Sequence, residues 1–377
     1  MHDLQRIYRD LQEGLSLDRH PVAFLVGAGC PLSVRIDNGS GETAPLIPDI
    51  QGLTAAVRTA LAADSTFDTL AAQFSEDGTP QANIEEILSR VRMLSRVCGK
   101  GSVRGLTAAD LKGLEQRICS EVSKVVRAEL PDHDTPYHHL VDWIGAIQRS
   151  KPLELFTTNY DLLAEQAFED RQIPFFDGFI GVREPFFDLR AIEEEHAPSR
   201  WTRLWKLHGS ISWRLGADQC VRRRFPLDPD GEGLLIHPSE LKYDQSRRMP
   251  YLAMLDRLRH FLKQPSAFLV TIGYSFADEH LNEVIFQGAR GNPTSAVYGL
   301  LYQEFAKETS AVALKGSIPL NASILARDSG VVRGAHSDWL PPADGAPATA
   351  TNNKLGDFAE FTSFLRLLAP AAGATHA

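Results

Sequence analysis

The chain is poor in cysteine and has no long apolar run. Its four cysteines, at positions 30, 98, 119 and 220 of 377 residues, form no Cys-x-x-Cys pair, which excludes a zinc ribbon and a dithiol redox motif. No stretch approaches the ~20 apolar residues that a membrane-spanning helix needs. The first residues are polar and lack the pattern of a signal peptide. These absences predict a cytoplasmic protein that holds no structural metal and does not enter a membrane.

Positive charge is also scarce relative to negative charge. Lys and Arg number 39 against 48 Asp and Glu, so the formal net charge is −9. This balance argues against broad contact with a nucleic-acid backbone, and we expect no sequence-specific nucleic-acid binding. The run Arg222-Arg223-Arg224 is compatible with a local basic patch or with a solvated turn between strands. The 43% hydrophobic and 23% charged residues are typical of a globular protein with a substantial core.

Short apolar segments alternate with amphipathic segments, which is typical of an α/β fold with a doubly wound parallel sheet. Strands are predicted at residues 22–26, 153–156, 173–179, 204–207, 267–272 and 296–301. Helices are predicted at residues 4–15, 161–170, 249–262, 278–287 and 358–368. Residues 31–49 have the composition of a loop, and residues 212–236 have the pattern of a hairpin region. We expect a main domain over residues 1–340, followed by a mobile stretch and one short helix in residues 341–377.

A large helical insertion is predicted between the first two strands. Residues 50–150 are helical in period almost throughout, with a break at residues 99–105. Asn83 is an expected N-cap, because its side chain can accept from free backbone N–H groups and acidic residues follow it. A second amphipathic helix is expected at residues 108–130. The apolar faces of these helices serve either packing or oligomerisation.

Four polar or glycine-containing runs accompany strand-like segments. They are Gly27-Ala28-Gly29-Cys30, Thr157-Thr158-Asn159-Tyr160-Asp161, His208-Gly209-Ser210 and Gly273-Tyr274-Ser275. Loops that follow the strands of a parallel sheet are where such folds bind ligands. The four runs therefore predict one nucleotide site that contains a histidine.

Each run taken alone also has a structural interpretation. Gly27 and Gly29 match only part of the Gly-x-Gly-x-x-Gly pattern, since Leu32 stands at its last position, and they form either a tight turn or a phosphate loop. Asn159 is either a helix cap or a ligand-binding amide. A lone histidine such as His208 is more often structural than catalytic. The presence of all four runs in one chain favours the functional interpretation.

Taken in order, the four runs resemble the sirtuin family. Sirtuins carry a Gly-Ala-Gly-x-Ser loop, a Thr-Gln-Asn-Ile-Asp segment, a His-Gly motif and a later Gly-Thr-Ser loop. Ile47-Pro48-Asp49 is similar to the family's Ile-Pro-Asp element, although Ile50-Gln51 stands where an arginine is usual. The two cysteine pairs that hold the structural zinc of sirtuin deacetylases are missing. The resemblance spans roughly residues 20–300, with the helical insertion in between.

Residues 83–88 and 273–280 resemble a divergent bacterial branch of sirtuin-like proteins. Many members of that branch are antiphage-defence proteins that destroy NAD, and some act beside a HerA-like hexameric ATPase. The resemblance implies a Rossmann-like fold that binds NAD as a substrate. Together with the amphipathic surface of the insertion, it also implies a homo-oligomer larger than a dimer and a HerA-like ATPase as partner.

The resemblance assigns roles to individual residues. His208 would act as general base toward a ribose hydroxyl or water, a role that suits a neutral imidazole and is worth about 10² to 10⁴-fold in rate. Asn159 would order that water or hydroxyl, and Asp161 would bind the nicotinamide carboxamide. The residues expected to hold the rest of NAD are Gly27, Ala28, Gly29, Cys30, Asp49, Gly273 and Ser275.

Three functions are compatible with such a site. The first is hydrolysis of NAD to nicotinamide and ADP-ribose, in antiphage defence by NAD depletion. The second is an NAD-dependent protein deacylase or ADP-ribosyltransferase, against which the missing zinc ribbon argues. The third is a non-catalytic NAD- or ADP-ribose-binding scaffold for a partner ATPase, against which the presence of Asn159 and His208 argues.

Overall fold

The computed structural model describes most of the chain. It covers residues 1–377 without 17, 19, 38, 40, 148, 196, 217, 219, 226, 228–233, 237–249, 342–351 and 370–377. The mobile stretch expected after residue 340 lies outside the described residues, apart from residue 341. None of the helices in the described ranges is long and apolar enough to cross a membrane.

The strands and helices are numbered here in chain order. The strands are β1 (Val22–Val26), β2 (Arg35–Asp37), β3 (Thr43–Pro45), β4 (Ser102–Val103), β5 (Leu106–Thr107), β6 (Glu154–Thr157), β7 (Phe175–Phe176), β8 (Phe179–Ile180), β9 (Phe186–Phe187), β10 (Thr202–Lys206), β11 (Gly209–Leu215), β12 (Val221–Arg223), β13 (Leu234–Ile236), β14 (Phe268–Ile272), β15 (Ala296–Leu300), β16 (Ala322–Leu325), β17 (Ser329–Val332) and β18 (Ala335–Asp338). The helices are α1 (Leu4–Ser16), α2 (Ile50–Ala60), α3 (Ser65–Glu76), α4 (Ile84–Cys98), α5 (Ala108–Val126), α6 (Pro136–Ala146), α7 (Leu163–Asp170), α8 (Leu189–Glu193), α9 (Tyr251–Lys263), α10 (Glu279–Gly291), α11 (Thr309–Leu314) and α12 (Phe358–Leu368).

A mostly parallel sheet forms the centre of the fold. Among the described residues its order is β18-β17-β16-β15-β14-β1-β6-β10-β7. Every pairing from β16 to β7 is parallel, and β17 and β18 are antiparallel additions at one edge. The chain leaves β1 for β6 on one side and later returns to β14 on the other, so β1 is the switch point of a Rossmann-like sheet. The predicted α/β class with a doubly wound sheet is confirmed.

The strand β1 is apolar throughout because helices cover both faces of the sheet. All five of its residues are buried, and successive side chains enter opposite cores. Phe24 belongs to the core that also contains α1, the insertion helices, α6 and α12, and its ring lies 5.7 Å from that of Phe361. Leu25 belongs to the core formed with α9 and α10. The division of the chain into domains stays a prediction.

The predicted insertion is helical, with α2, α3, α4 and α5 packed on one another. The expected break at residues 99–105 is a hairpin of β4 and β5. Asn83 caps α4 as predicted, since its Oδ1 accepts from Glu85 N at 2.9 Å and from Glu86 N at 3.1 Å. The Glu86 carboxylate in turn accepts from Asn83 N at 2.6 Å, which closes a capping box.

Other predicted segments differ from the observed ones. The strand expected at residues 173–179 is interrupted by Gly178, whose φ of +88° makes a turn between β7 and β8. The expected hairpin region contributes β11, β12 and β13 to a second sheet of order β13-β11-β12-β9-β8. Strands β16, β17 and β18 were not predicted, because strands of only four residues carry little periodic signal.

Arg222 and Arg223 lie on β12, and Arg224 follows the end of that strand. Arg222 donates to both carboxylate oxygens of Asp218, at 2.7 and 2.6 Å. Arg223 donates to the buried Asp177 carboxylate. Two of the three positive charges are therefore matched by carboxylates, which disfavours a basic patch that attracts anions.

Candidate active site

The four predicted runs meet at the carboxyl edge of the sheet. The first run follows β1, the second follows β6, the third follows β10 and the fourth follows β14. These strands are neighbours in the sheet, in the order β14-β1-β6-β10. Backbone hydrogen bonds join adjacent loops: Gly29 N donates to the Gly273 carbonyl at 2.8 Å, and Leu207 N donates to the Thr157 carbonyl at 2.8 Å. The structure thus brings together segments that lie far apart in the sequence.

The backbone N–H groups of the first run are engaged within the protein. Besides the bond made by Gly29, Gly27 N donates to the Ile272 carbonyl at 2.9 Å and Cys30 N donates to the Gly27 carbonyl at 3.0 Å. These bonds fix the shape of the loop, so these three groups do not serve as donors to a diphosphate in this conformation. Ala28 is exposed at the tip and is the part of the loop that a ligand can reach.

The glycines allow two loops to touch through their backbones. A Cβ on Gly27 would collide with the Gly273 carbonyl. Gly273 has a φ of +65°, which favours glycine, and a Cβ there would lie 2.7 Å from Cys30 N. Close contact between the loops after β1 and β14 therefore requires glycine at both positions. Ser275 is exposed beside this contact.

His208 lies in the tight turn between β10 and β11, where Gly209 adopts a φ of +98°. Its Nε2 lies 3.0 Å from Oδ2 of Asp278, and the two side chains are 11% and 8% exposed. Asp278 also caps α10, because its Oδ1 accepts from Leu281 N at 3.1 Å. A buried imidazole held by a carboxylate is the arrangement in which enzymes place a general base.

Asn159 is buried, and one end of its amide is fixed. Its Nδ2 donates to the Gly27 carbonyl at 3.2 Å, and its backbone N donates to Thr157 Oγ1 at 3.0 Å. Its Oδ1 is buried and has no hydrogen-bond partner among the described residues. An orphaned buried acceptor is costly, and such groups concentrate at sites that bind a ligand or water.

Tyr137 of α6 lies beneath the same loops. Its hydroxyl is buried and, within the described residues, makes no hydrogen bond of ordinary distance and angle. Burial raises the pKa of this hydroxyl well above its usual value, and the Asp161 and Cys30 groups raise it further. The Asn159 amide lies close enough to lower that pKa slightly. Two orphaned polar groups, from Asn159 and Tyr137, therefore share one buried region.

Asp161 is buried, and its charge is sensitive to pH near neutrality. Its carboxylate accepts from Leu163 N at 3.0 Å, and its carbonyl accepts from the Lys206 ammonium. Lys206 also donates to Glu165 Oε1 at 2.9 Å. Burial raises the pKa of the Asp161 carboxyl to about 6, against the opposing effect of Lys206. A carboxylate in this position can accept from an amide group, as the sequence analysis expected of it.

The remaining predicted residues occupy different surroundings. Burial raises the pKa of the Cys30 thiol well above its usual range, and its Sγ donates to the Ile272 carbonyl at 3.3 Å. Cys30 is therefore a thiol with a structural contact rather than a reactive thiolate. Asp49 is exposed and caps α2 by accepting from Gly52 N at 2.8 Å. Among the described residues, no hydrogen bond or ion pair joins Asp49 to the four loops.

Three residues of the site were missed at the level of sequence. Asp278 was visible only as an acid at a helix start, with no sign that it faces His208 70 positions earlier. Tyr137 lies near the end of the helical insertion and has no motif around it. Lys206 looks like an ordinary strand residue, yet it is buried and holds the loop after β6. One indication for these residues was present in the sequence: Asp278 lies three positions after Ser275, which belongs to the fourth run.

The site also touches the insertion. Tyr160, between Asn159 and Asp161, has its hydroxyl 3.5 Å from Oε1 of Glu85 on α4. In the described part of the chain there is no group of three or more His, Cys, Asp or Glu residues arranged to hold a metal ion. The absence of a structural metal stays a prediction.

Comparisons with known proteins support one family over part of the chain. Residues 153–317 match a family model described as SIR2-like domain. This segment is sirtuin-like, and it contains β6, β10 and β14 with their loops. No curated protein matches the chain.

The chain is also similar to solved structures of Sir2 proteins. One, described as showing the mechanism and regulation of Sir2 enzymes, is 13% identical, with 82% of this chain and 90% of that chain covered and a TM-score of 0.39. Another, a Sir2 homolog–NAD complex, is 14% identical, with 96% of this chain and 95% of that chain covered and a TM-score of 0.36.

Proposed function

We propose that the protein is an NAD hydrolase that cleaves NAD to nicotinamide and ADP-ribose. The observation that carries this proposal is the buried pair of His208 and Asp278 at the edge where Asn159 presents an orphaned Oδ1. The match of residues 153–317 to the SIR2-like model supports NAD as the substrate class.

The reaction replaces one bond to the ribose by another. The bond between ribose C1′ and the nicotinamide nitrogen breaks, and its electron pair leaves with nicotinamide. The oxygen of a water bonds to C1′, and one water proton passes to His208 and then to solvent. The products are nicotinamide, ADP-ribose and one proton. The transition state resembles an oxocarbenium ion, as in glycoside cleavage.

The residues present fit these demands. Asn159 Oδ1 is an acceptor for the attacking water or for a ribose hydroxyl. The Asp161 carboxylate is an acceptor for the carboxamide N–H groups. The exposed Ala28 and Ser275 border the crevice at the switch point, which is where open α/β sheets bind nucleotides. His208 supplies the base, and Asp278 supports the positive charge that His208 acquires.

Nicotinamide release from NAD by the purified chain tests the proposal. We expect His208→Ala and Asn159→Ala each to lower the rate by about 10² to 10⁴-fold, the usual worth of a general base or an oriented water. His260→Ala is the matched control, because His260 is exposed on α9. Full activity of His208→Ala would overturn the assignment of the base.

The same assay separates the alternatives. Turnover that requires an acylated peptide would establish the deacylase function instead. Binding of NAD that stays intact under all conditions, with and without a partner ATPase, would establish the scaffold function.

We further propose that the enzyme acts in the cytoplasm in antiphage defence, beside a HerA-like ATPase. The resemblance of residues 83–88 and 273–280 to the bacterial defence branch supports this role. Cells that carry the chain, with and without a co-encoded ATPase, should lose NAD after phage infection. Cells that carry His208→Ala should keep NAD and should not be protected.

The insertion supports a homo-oligomer larger than a dimer. Met93 and Val97 lie four residues apart on one face of α4 and are 49% and 68% exposed. Light scattering at micromolar concentration should give a mass of more than two chains. A double change, Met93→Glu with Val97→Glu, should lower that mass. A native mass of one chain would contradict the proposal.

A further inference from the structure

We infer that Asp278 is a positioning residue that keeps the proton of neutral His208 on Nε2 and leaves the lone pair on Nδ1. This inference rests on the proposed function, because it concerns the base of the proposed reaction. Nothing in the loop motifs assigns a partner to His208; the assignment comes from the geometry of the two side chains.

The two carboxylate oxygens of Asp278 have different partners. Oδ1 accepts from Leu281 N at the start of α10, and Oδ2 lies 3.0 Å from Nε2 of His208. The start of a helix favours a negative charge on the carboxylate. An ionised carboxylate only accepts hydrogen bonds, and Nε2 must therefore be the donor. In neutral imidazole the other nitrogen, Nδ1, is then the proton acceptor.

The loop that carries Asp278 is built to hold it. Asn282 Nδ2 donates to the Phe276 carbonyl at 2.7 Å, and the Tyr274 hydroxyl donates to Asn282 Oδ1 at 2.8 Å. The same hydroxyl lies 3.2 Å from the Asp278 carbonyl. These buried contacts fix the backbone immediately before and at Asp278.

The same loop contains local backbone strain. Phe276 has a φ of +58°, a region that bulky residues avoid. Its ring is buried against Gly299, where a Cβ would lie 2.5 Å from the ring. The strained turn exposes Ser275 and directs Asp278 inward within three residues. A loop needed only to begin a helix does not require this conformation.

The pairing has a consequence for the proposed reaction. When His208 takes a proton on Nδ1, the imidazolium forms an ion pair with Asp278 in surroundings from which water is largely excluded. That pair stabilises the charge which develops as the base acts. Without the carboxylate, the ring is free to adopt the other tautomer, in which Nδ1 is already protonated.

Asp278→Asn separates positioning from folding. Asparagine is almost isosteric and caps helices as well as aspartate does, so α10 should keep its cap. We expect kcat for NAD hydrolysis to fall by about 10² to 10⁴-fold, with KM changed by less than about threefold. Asp188→Asn is the matched control, because Asp188 caps α8 through two backbone N–H groups and lies on a different element. Its kcat should stay within about twofold of native.

The nitrogen NMR signals of His208 give a readout that does not depend on turnover. Protein labelled with ¹⁵N-histidine should show His208 protonated at Nε2, with the signal assigned by its loss in His208→Gln. In Asp278→Asn the proton should move wholly or partly to Nδ1, because the asparagine amide donates to Nε2. If Asp278→Asn does not fold, Asp278→Ser keeps a cap and serves for the same measurement.

The outcomes divide clearly. An unchanged tautomer in the variant, or unchanged kcat, would overturn the role of Asp278. A native chain that never hydrolyses NAD would overturn the proposed function. In that case the tautomer measurement still decides whether Asp278 positions His208.

Discussion

The carboxyl edge of the sheet and the surface of the helical insertion place their acidic side chains differently. On the surface of the insertion, acidic groups pair with arginines, as Asp77 does with Arg104 at 2.7 Å. At the sheet edge, Asn159, Asp161 and Asp278 are all buried. Asn159 Oδ1 and the Tyr137 hydroxyl, which lie near each other there, make no hydrogen bond of ordinary distance and angle among the described residues.

This difference distinguishes polar groups that stabilise the fold from polar groups that take part in a reaction or bind a ligand. Buried polar groups destabilise a fold unless they are fully hydrogen-bonded, so they persist where a reaction or a ligand needs them. The surface helices of the insertion gain stability from local capping and pairing. At the edge, buried polar groups are gathered around the four loops. Matched substitutions in the two regions should therefore have different effects.

Glycine to alanine should give the largest contrast. In Gly273→Ala the new Cβ lies 2.7 Å from Cys30 N, and the residue keeps a φ of +65°. Overpacking and backbone strain together should lower the free energy of unfolding by about 3–5 kcal/mol. Gly113→Ala in α5 should raise it by about 0.5–1 kcal/mol, since the group it meets is the flexible end of Arg117. Chemical denaturation followed by circular dichroism measures both, and equal effects would refute the contrast.

Two aspartates should differ in how pH affects their contribution. The pKa of Asp161 is about 6 in the folded chain and 3.8 ordinarily, so the folded chain binds the extra proton between these values. The stability lost at Asp161 therefore grows as pH rises from about 4 to 6 and is complete above that, about 3 kcal/mol in all. Asp161→Asn should raise the free energy of unfolding at pH 7.5 by this amount and have little effect near pH 4, while NAD hydrolysis falls.

Asp77 in the insertion should behave in the opposite sense. Hydrogen bonds from Arg104 and Arg90 lower its pKa from 3.8 to about 2. Its stabilising contribution is thus present above pH 4 and is lost as pH falls through 2. Asp77→Asn should slightly destabilise the protein at neutral pH and leave NAD hydrolysis unchanged. Urea melts across pH provide the test, and a stabilising Asp77→Asn at pH 7.5 would count against it.

Substitution of two asparagines should give the smallest changes in stability, while only one of the two substitutions should lower turnover. Asn83 Oδ1 accepts two backbone N–H groups at the start of α4, so Asn83→Ala should cost about 1 kcal/mol without changing turnover. Asn159 Oδ1 has no partner in the described chain, so Asn159→Ala should cost no more than about 1 kcal/mol yet lower turnover by about 10² to 10⁴-fold. Thermal unfolding and nicotinamide release measure the pair. Similar turnover in the two variants would remove the distinction.

Much of the fold was predictable because its signals are local. The bounds of β1 and α12 were predicted to the residue, since one is a continuous apolar run and the other has clear helical period. The cap at Asn83 and the break near Gly99 follow from capping and glycine chemistry. The ends of other helices shifted by a few residues, because fraying and caps there depend on tertiary contacts.

The site was predictable only in part. The order of the four runs indicates that they share an edge, because parallel strands end on the same side. The partner of His208 was not predictable, since it depends on how β10 and β14 lie across the sheet. The hydrogen bonds of the Gly27, Gly29 and Cys30 N–H groups were not predictable either. These groups bond within the protein and stabilise the loop instead of facing a ligand. The local sequence gives the residues of a loop, whereas the order of strands in the sheet determines which other loops it contacts.

The position of β1 has a consequence for synthesis. Val22 pairs with Phe268, and Ala23 pairs with Glu154, so the strand made first is completed by strands made much later. On the ribosome, a chain that has not yet reached Asp278 lacks the partner of its histidine and the strand that closes the crevice. Truncated or stalled products therefore cannot assemble the complete site. Under the proposed function, NAD hydrolysis therefore has to wait until Asp278 has been synthesised.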